Sequence, residues 1–151
     1  MIIRPAKVND TKQLYEIIEY YANNKKMLHK SLNKLYENIQ EFVVLEEKGK
    51  IIACGALHVS WEDLAEIKSL AVLDEYQRQG LGRKIVYNLQ ENARMLGITR
   101  IFVLSFSPEF FIKLGYKIIP KETLPHKIWH ECVNCHLFPD CGEVALSLTL
   151  Q

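Results

Sequence analysis

The chain is poor in cysteine, and this excludes a secreted disulfide scaffold. It has four in 151 residues, too few and too unevenly spread to staple a small fold. It lacks any apolar run approaching the ~20 residues of a membrane span, so no bilayer segment is expected. It also lacks an excess of either charge. Nineteen Lys and Arg against eighteen Asp and Glu leave +1, which argues against bulk attraction to nucleic acid or membrane. The start, Met1-Ile2-Ile3-Arg4-Pro5, has no basic segment, long apolar run or small-residue cleavage site of a leader, so a cytoplasmic location is expected. Repeats and low-complexity tracts are absent. What is present is ordinary for one globular domain with a substantial core: 48% apolar and 25% charged residues. Residues 1–151 read as a single domain.

Residue periodicity divides the chain. Ile2-Ile3-Arg4 reads as a strand stopped by Pro5. Asp10 with Gln13 matches a capping pair, and Leu14, Ile17, Ile18 and Tyr21 follow at helical spacing, predicting a helix over 10–23. Ser31 is placed to cap a second helix carrying Leu32, Leu35, Tyr36 and Ile39. Strands are expected at 42–45 and 51–59 around a Lys48-Gly49 turn, then at 65–72 after a turn at 61–63. Ile85, Val86, Leu89 and Ala93 predict a long amphipathic helix over 82–96, stopped by Gly97. Ile101-Phe102-Val103-Leu104 is a central strand, 108–114 a short helix with proline in its first turn, and 116–119 and 144–150 are the last strands. This order predicts an α/β fold with a mixed sheet and helices on both faces.

The most informative stretch is Glu66-Ile-Lys-Ser-Leu-Ala-Val-Leu-Asp-Glu-Tyr-Gln-Arg-Gln-Gly-Leu-Gly-Arg83. A strand runs through a short polar connection into the long helix, and Gly80 and Gly82 leave the backbone bare at the turn. The unpaired N–H groups and positive dipole end of a helix start suit an anionic phosphate, and Arg78 and Arg83 stand beside them.

With Gln77-x-x-Gly80-x-Gly82 after the fourth strand, the chain resembles the GNAT superfamily of acyl-CoA N-acyltransferases. The resemblance implies a mixed, mostly antiparallel sheet whose fourth and fifth strands splay around acetyl-CoA. It assigns Gln77, Arg78, Gln79, Gly80, Leu81, Gly82 and Arg83 to the pyrophosphate, and Leu70, Ala71 and Val72 to the pantetheine arm. Lys113-Leu114-Gly115-Tyr116 is similar to the family's segment beside the cofactor thiol, and Phe111 is expected to touch the cofactor. A narrower resemblance lies in Ile3-Arg4-Pro5-Ala6, in residues 66–72, in Phe102-Val103-Leu104-Ser105, in residues 108–116 and in Leu124-Pro125-His126-Lys127-Ile128-Trp129 followed by Cys132, Cys135, Phe138, Pro139, Cys141 and Glu143. It is similar to the kinase-free form of the bacterial N-acetylglutamate synthases. The implied reaction is acetyl transfer to the α-amine of L-glutamate, the entry to arginine or ornithine synthesis, with small molecules as the only partners and a homodimer through the last strands. The alternatives are another amino acid such as glutamine, a small amine, or a non-catalytic module that senses acetyl-CoA or an amino acid.

Aminolysis of a thioester needs a deprotonated amine, an aligned thioester and stabilisation of developing negative charge. Glu66 is either the base or a solvated strand-edge carboxylate. Ser105 either protonates the leaving thiolate or bonds a strand-end backbone group. The helix tyrosine that many of these enzymes use as the acid is replaced here by Phe110 or Phe111, and Tyr116 reads as core. Arg4, Lys30 and Lys68 are the cations available for acceptor carboxylates, each otherwise a surface charge. His126 and Lys127 are placed to close over the acceptor. Cys132, Cys135 and Cys141 offer three thiolates, which a histidine or Glu143 would complete into a structural zinc site. The competing readings are packed thiols or a redox-labile pair. Cys54 reads as a small core residue.

Overall fold

The computed structural model describes residues 1–24, 26–124 and 142–151. Seven strands form one sheet: β1 (Ile2–Pro5), β2 (Phe42–Glu47), β3 (Lys50–Trp61), β4 (Leu64–Val72), β5 (Arg100–Ser105), β6 (Lys117–Ile119) and β7 (Val144–Thr149). Their order is β1-β2-β3-β4-β5-β7-β6. Among the described residues four α-helices flank it: α1 (Thr11–Asn23), α2 (Leu32–Glu37), α3 (Leu81–Met95) and α4 (Pro108–Lys113). Each expected element is present, with ends that differ by one to three residues. The fold is the open α/β sheet that the resemblance implies.

Strand alternation sorts the core into two layers. On β2, Val43 and Leu45 face α3, which contributes Ile85, Val86, Leu89 and Ala93. Phe42 and Val44 face α1 and α2, which contribute Leu14, Ile17, Ile18, Tyr21 and Leu35. Each fully buried Leu or Ile contributes about 1.5–3 kcal/mol, so these helix stripes hold α1 and α3 against opposite faces.

One local expectation is corrected and another holds. The Asp10–Gln13 capping pair does not form. Asp10 accepts instead from Arg4 Nη1 at 2.8 Å, Arg4 Nη2 at 3.0 Å and the Lys7 N–H at 2.7 Å, while Gln13 Oε1 accepts from the Ile51 N–H. The charge-assisted bonds to the guanidinium hold the carboxylate beside β1, and its one backbone donor, Lys7, lies before the helix and not in its first turn. The cap at Ser31 does form, its Oγ accepting from the Lys34 N–H at 3.1 Å.

The feature that makes a site is where the sheet opens. All neighbouring strands are antiparallel except β4 and β5, which run parallel and pair only from Leu64–Arg100 to Ile67–Val103. Past that point β5 continues beside β7, to Ser105–Val144, and β4 continues beside β3. The two strands therefore separate, leaving one edge of β4 unmatched along residues 68–72.

A bulge adds to this. Cys54 pairs with Ala71 and Ala56 with Lys68, so Gly55 opposes both Ser69 and Leu70. Ser69 takes φ +56, a left-handed value rare for a non-glycine residue. Strict alternation would put Leu70 on the face of Glu66 and Lys68. The bulge reverses the parity, so Leu70 packs on the α3 side and Ala71 on the α1 side.

Candidate active site

The gap between β4 and β5 opens into a cleft of about 1040 Å³, the size of a small-molecule site. One wall is β4, from Glu66 to Val72. The opposite wall is Ser105 to Ser107 with Phe110, Phe111 and Lys113 of α4. The start of α3 closes one end, and Lys26 to Lys30, after α1, reach the other.

The start of α3 is built as an anion cradle. Gly80 is its N-cap at φ +78, and Arg78 is also left-handed at φ +65. Left-handed residues at such a turn direct backbone N–H groups into a concave nest at the positive end of a helix. A Cβ on Gly82 would stand 3.2 Å from Phe110 Cζ, so a larger residue there would crowd the cleft between α3 and α4. Arg78 and Arg83 add two guanidinium groups. This arrangement fits a pyrophosphate.

The Gln77 side chain does something else. Its Nε2 donates to the Val72 carbonyl at 3.0 Å, and lies 3.3 Å from both Asp74 Oδ1 and Tyr21 Oη. Gln77 therefore ties the loop back to the end of β4. Gln79 does not line the cleft, whereas Gln77, Arg78, Gly80, Leu81, Gly82 and Arg83 do.

Glu66 and Lys68 share a face, as strand alternation requires. Lys68 Nζ lies 3.8 Å from Glu66 Oε1, and Glu66 is only 7% exposed. Both line the cleft, as do Lys30 and Ser105. Ser105 Oγ accepts from the Ser107 N–H at 2.9 Å. That bond uses a lone pair and leaves the hydroxyl proton to donate, with its donor strength raised by polarisation. Leu70, Ala71 and Val72 continue the β4 wall, and Phe111 lines the cleft from α4.

Arg4 is not brought to this site. It lies at the β1 edge, held by Asp10 and by Glu46 at 2.8 Å. Arg4 in turn keeps the Asp10 carboxyl below its ordinary range. Tyr116 is core, as expected. It is 2% exposed, its hydroxyl accepts from Gln90 Nε2 at 2.7 Å, and burial pushes its pKa up to about 12. Cys54 is fully buried, and its thiol is likewise pushed up to about 12 by burial. His126, Lys127, Cys132, Cys135 and Cys141 lie outside the described residues. Among the described residues no group of three His, Cys, Asp or Glu is placed to hold a metal ion, and no helix is long and apolar enough to cross a membrane.

Sequence reasoning gave Glu143 as part of the C-terminal resemblance and as a metal ligand, and did not place it in the cleft. It lines the cleft just before β7. Burial, then the nearby charge of Glu66, push its pKa up to about 7 against the pull of Lys121. The signal was present in the pairing of Ser105 with Val144, which sets Glu143 beside the end of β5, but strand register cannot be read from one sequence.

A sheet split between a parallel strand pair, with an anion cradle at the start of the helix that joins them, suits a cofactor that carries phosphate groups. Residues 8–116 match the model of the acetyltransferase (GNAT) family. The chain belongs to that family. It is 38% identical over 148 residues, 98% of this chain and 96% of the relative, to an uncharacterised N-acetyltransferase of Chlorobaculum tepidum. It is 38% identical over 133 residues, 86% of this chain and 76% of the relative, to the amino-acid acetyltransferase of Mycobacterium tuberculosis. Among solved structures, a Mycobacterium tuberculosis protein in complex with CoA and NLQ superposes with a TM-score of 0.87 at 33% identity over the whole of both chains. The N-acetylglutamate synthase of Neisseria gonorrhoeae, complexed with coenzyme A and N-acetyl-glutamate, gives 0.92 at 28% identity. There this chain is covered to 99% but spans only 35% of the synthase.

Proposed function

We propose that the chain transfers the acetyl group of acetyl-CoA to the α-amine of an amino acid, and that the acceptor is L-glutamate. The observation that carries this is the convergence, in one cleft, of the anion cradle at α3 with Glu66, Lys68, Lys30 and Ser105. Relatives named amino-acid acetyltransferase support the first part, and the synthase structure with N-acetyl-glutamate supports the second.

The fit to acetyl-CoA rests on the cradle, the bare backbone at Gly82 and the unmatched edge of β4. The co-substrate supplies a thioester, whose acyl C–S bond breaks as the C–N bond to the amine forms. A backbone N–H near residues 70–72 polarises the acyl carbonyl. Glu66 takes a proton from the amine. Ser105 gives its hydroxyl proton to the departing sulfur and takes the second amine proton in its place, so that amide and free thiol form with the released proton on Glu66. Lys68 and Lys30 receive the acceptor carboxylates. The reaction needs no membrane or nucleic-acid partner and fits a cytoplasmic enzyme.

One observation favours keeping glutamine as a second reading. Two carboxylates, Glu66 and Glu143, share the cleft with these lysines, which weakens discrimination against a neutral side chain. Thiol release from acetyl-CoA, measured with each of the twenty amino acids, decides between them. Glutamate should give the highest kcat/KM. A preference for glutamine overturns the specific reading, and no turnover with any amino acid overturns the enzymatic one.

A further inference from the structure

The end of β4 carries a device that the cofactor loop alone does not account for. The Leu73 N–H donates to the Ile52 carbonyl on β3 at 2.9 Å. Its peptide partner, the Val72 carbonyl, therefore points the opposite way, to the side that β5 has left. There it accepts two side-chain donors, the Tyr21 hydroxyl from α1 and Gln77 Nε2 at 3.0 Å. Two donors fill both lone pairs of a carbonyl oxygen.

Tyr21 is 4% exposed, so its ring is held by the core and its hydroxyl is delivered to a fixed point. Asp74 steadies the assembly. Its Oδ1 lies 3.1 Å from Tyr21 Oη and its Oδ2 accepts from Tyr20 Oη at 2.6 Å. The Tyr20 hydroxyl, with Lys26 nearby, holds the Asp74 carboxyl below its ordinary range and offsets a negative charge that stands close to the cradle.

We propose that Tyr21 is a positioning residue for the acyl-CoA site, acting through the Val72 carbonyl. By occupying that oxygen jointly with Gln77, it fixes the unmatched edge of β4 and the entry to the 77–83 loop in one geometry. The cofactor then meets a preformed wall whose carbonyl is already satisfied. The inference rests on the acyl-CoA reading of the cleft.

The test uses CoA itself as the probe, in calorimetric titrations of the full chain, with initial rates alongside. Wild-type protein should bind CoA; failure to do so overturns the acyl-CoA reading, not only the role of Tyr21. Tyr21→Phe keeps the ring and should weaken CoA binding about fivefold to tenfold, the size of one hydrogen bond. KM for acetyl-CoA should rise in parallel, with KM for the amino acid and kcat within about twofold of wild type. The Tyr21→Phe and Gln77→Met effects should not multiply in the double variant, since both act on one oxygen. If Tyr21→Phe does not fold, Gln77→Met alone must show the same split between the two KM values. Unchanged CoA affinity in the folded variant overturns the proposal. So does an equal rise in both KM values with a lower Tm, which would assign Tyr21 to general stability.

Discussion

Replacing Gly55 by alanine tests how α3, and with it the anion cradle, is held on the sheet. Gly55 lies on β3 opposite the bulge, under α3. An added Cβ would stand 2.6 Å from Ile85 Cγ2, 3.2 Å from Leu89 Cδ1 and 3.4 Å from Leu70 Cδ1. Carbon atoms prefer about 3.5–4.0 Å, so the Ile85 methyl must retreat by about 1 Å. Ile85 and Leu89 are both fully buried, and the surrounding core has no slack at native packing density. Overpacking of this kind costs about 1–3 kcal/mol. Alanine returns about 0.4–1 kcal/mol by restricting the unfolded chain. At the middle of both ranges the net loss is about 1.3 kcal/mol, and at about 2–4 °C per kcal/mol for a domain of this size the Tm falls by about 3–5 °C.

The shift also travels. Ile85 sits one turn into the helix whose first residues form the cradle, so Gly55→Ala should weaken CoA binding as it lowers Tm. Gly49→Ala is the control. Gly49 has φ +80 but nothing within 4 Å of an added Cβ, and it lies in the β2–β3 turn, so its variant loses stability through backbone strain with CoA affinity intact. Thermal denaturation and calorimetric titration with CoA measure both quantities. A Gly55→Ala protein with wild-type Tm and wild-type CoA affinity would refute the packing argument.

Ser105→Ala should lower kcat by about 10²-fold at unchanged KM for acetyl-CoA; an unaffected kcat in steady-state assays assigns thiolate protonation to water. Tyr116→Phe should leave kcat unchanged and cost about 1–3 kcal/mol in urea denaturation, because it strands the buried Gln90 amide; a large fall in kcat would place Tyr116 in the chemistry. Because Arg4 depresses the Asp10 carboxyl, that pair's contribution to stability is complete above about pH 4. It is lost as pH falls through the lower folded-state value, so Asp10→Asn should flatten the acid limb of a stability–pH curve. Glu143 has the opposite sign. Its folded-state pKa, about 7, exceeds the ordinary 4.5, so its ionisation opposes folding increasingly as pH rises from that ordinary value to about 7. Glu143→Gln should then be more stable than wild type at pH 8, with the difference vanishing near pH ~4, and an unchanged difference across that range in chemical denaturation would refute the assignment.

How much of this was legible in the chain follows from which physical signals are local. The helices were readable because their buried stripes, Leu14-Ile17-Ile18-Tyr21 on α1 and Ile85-Val86-Leu89-Ala93 on α3, repeat within one element. The cradle was readable because Gly80 and Gly82 mark backbone geometry directly. The Asp10 cap was misread because its charged partner, Arg4, belongs to a different element and holds the carboxylate toward β1 and the Lys7 N–H, away from the first turn of α1. The same pairing removes Arg4 from the acceptor. The change of parity in β4 beyond Lys68 was not legible because nothing in Ser69-Leu70 announces a bulge; it lies opposite Gly55 on the neighbouring strand, where an added Cβ would meet Ile85 and Leu89. That one glycine thus sets two things at once. It lets α3 approach the sheet, which places the cradle, and it faces the bulge that turns Leu70 toward α3 while Glu66 and Lys68 stay on the opposite face. The cofactor end and the acceptor end of the cleft are therefore joined through β3, a strand that itself lines neither.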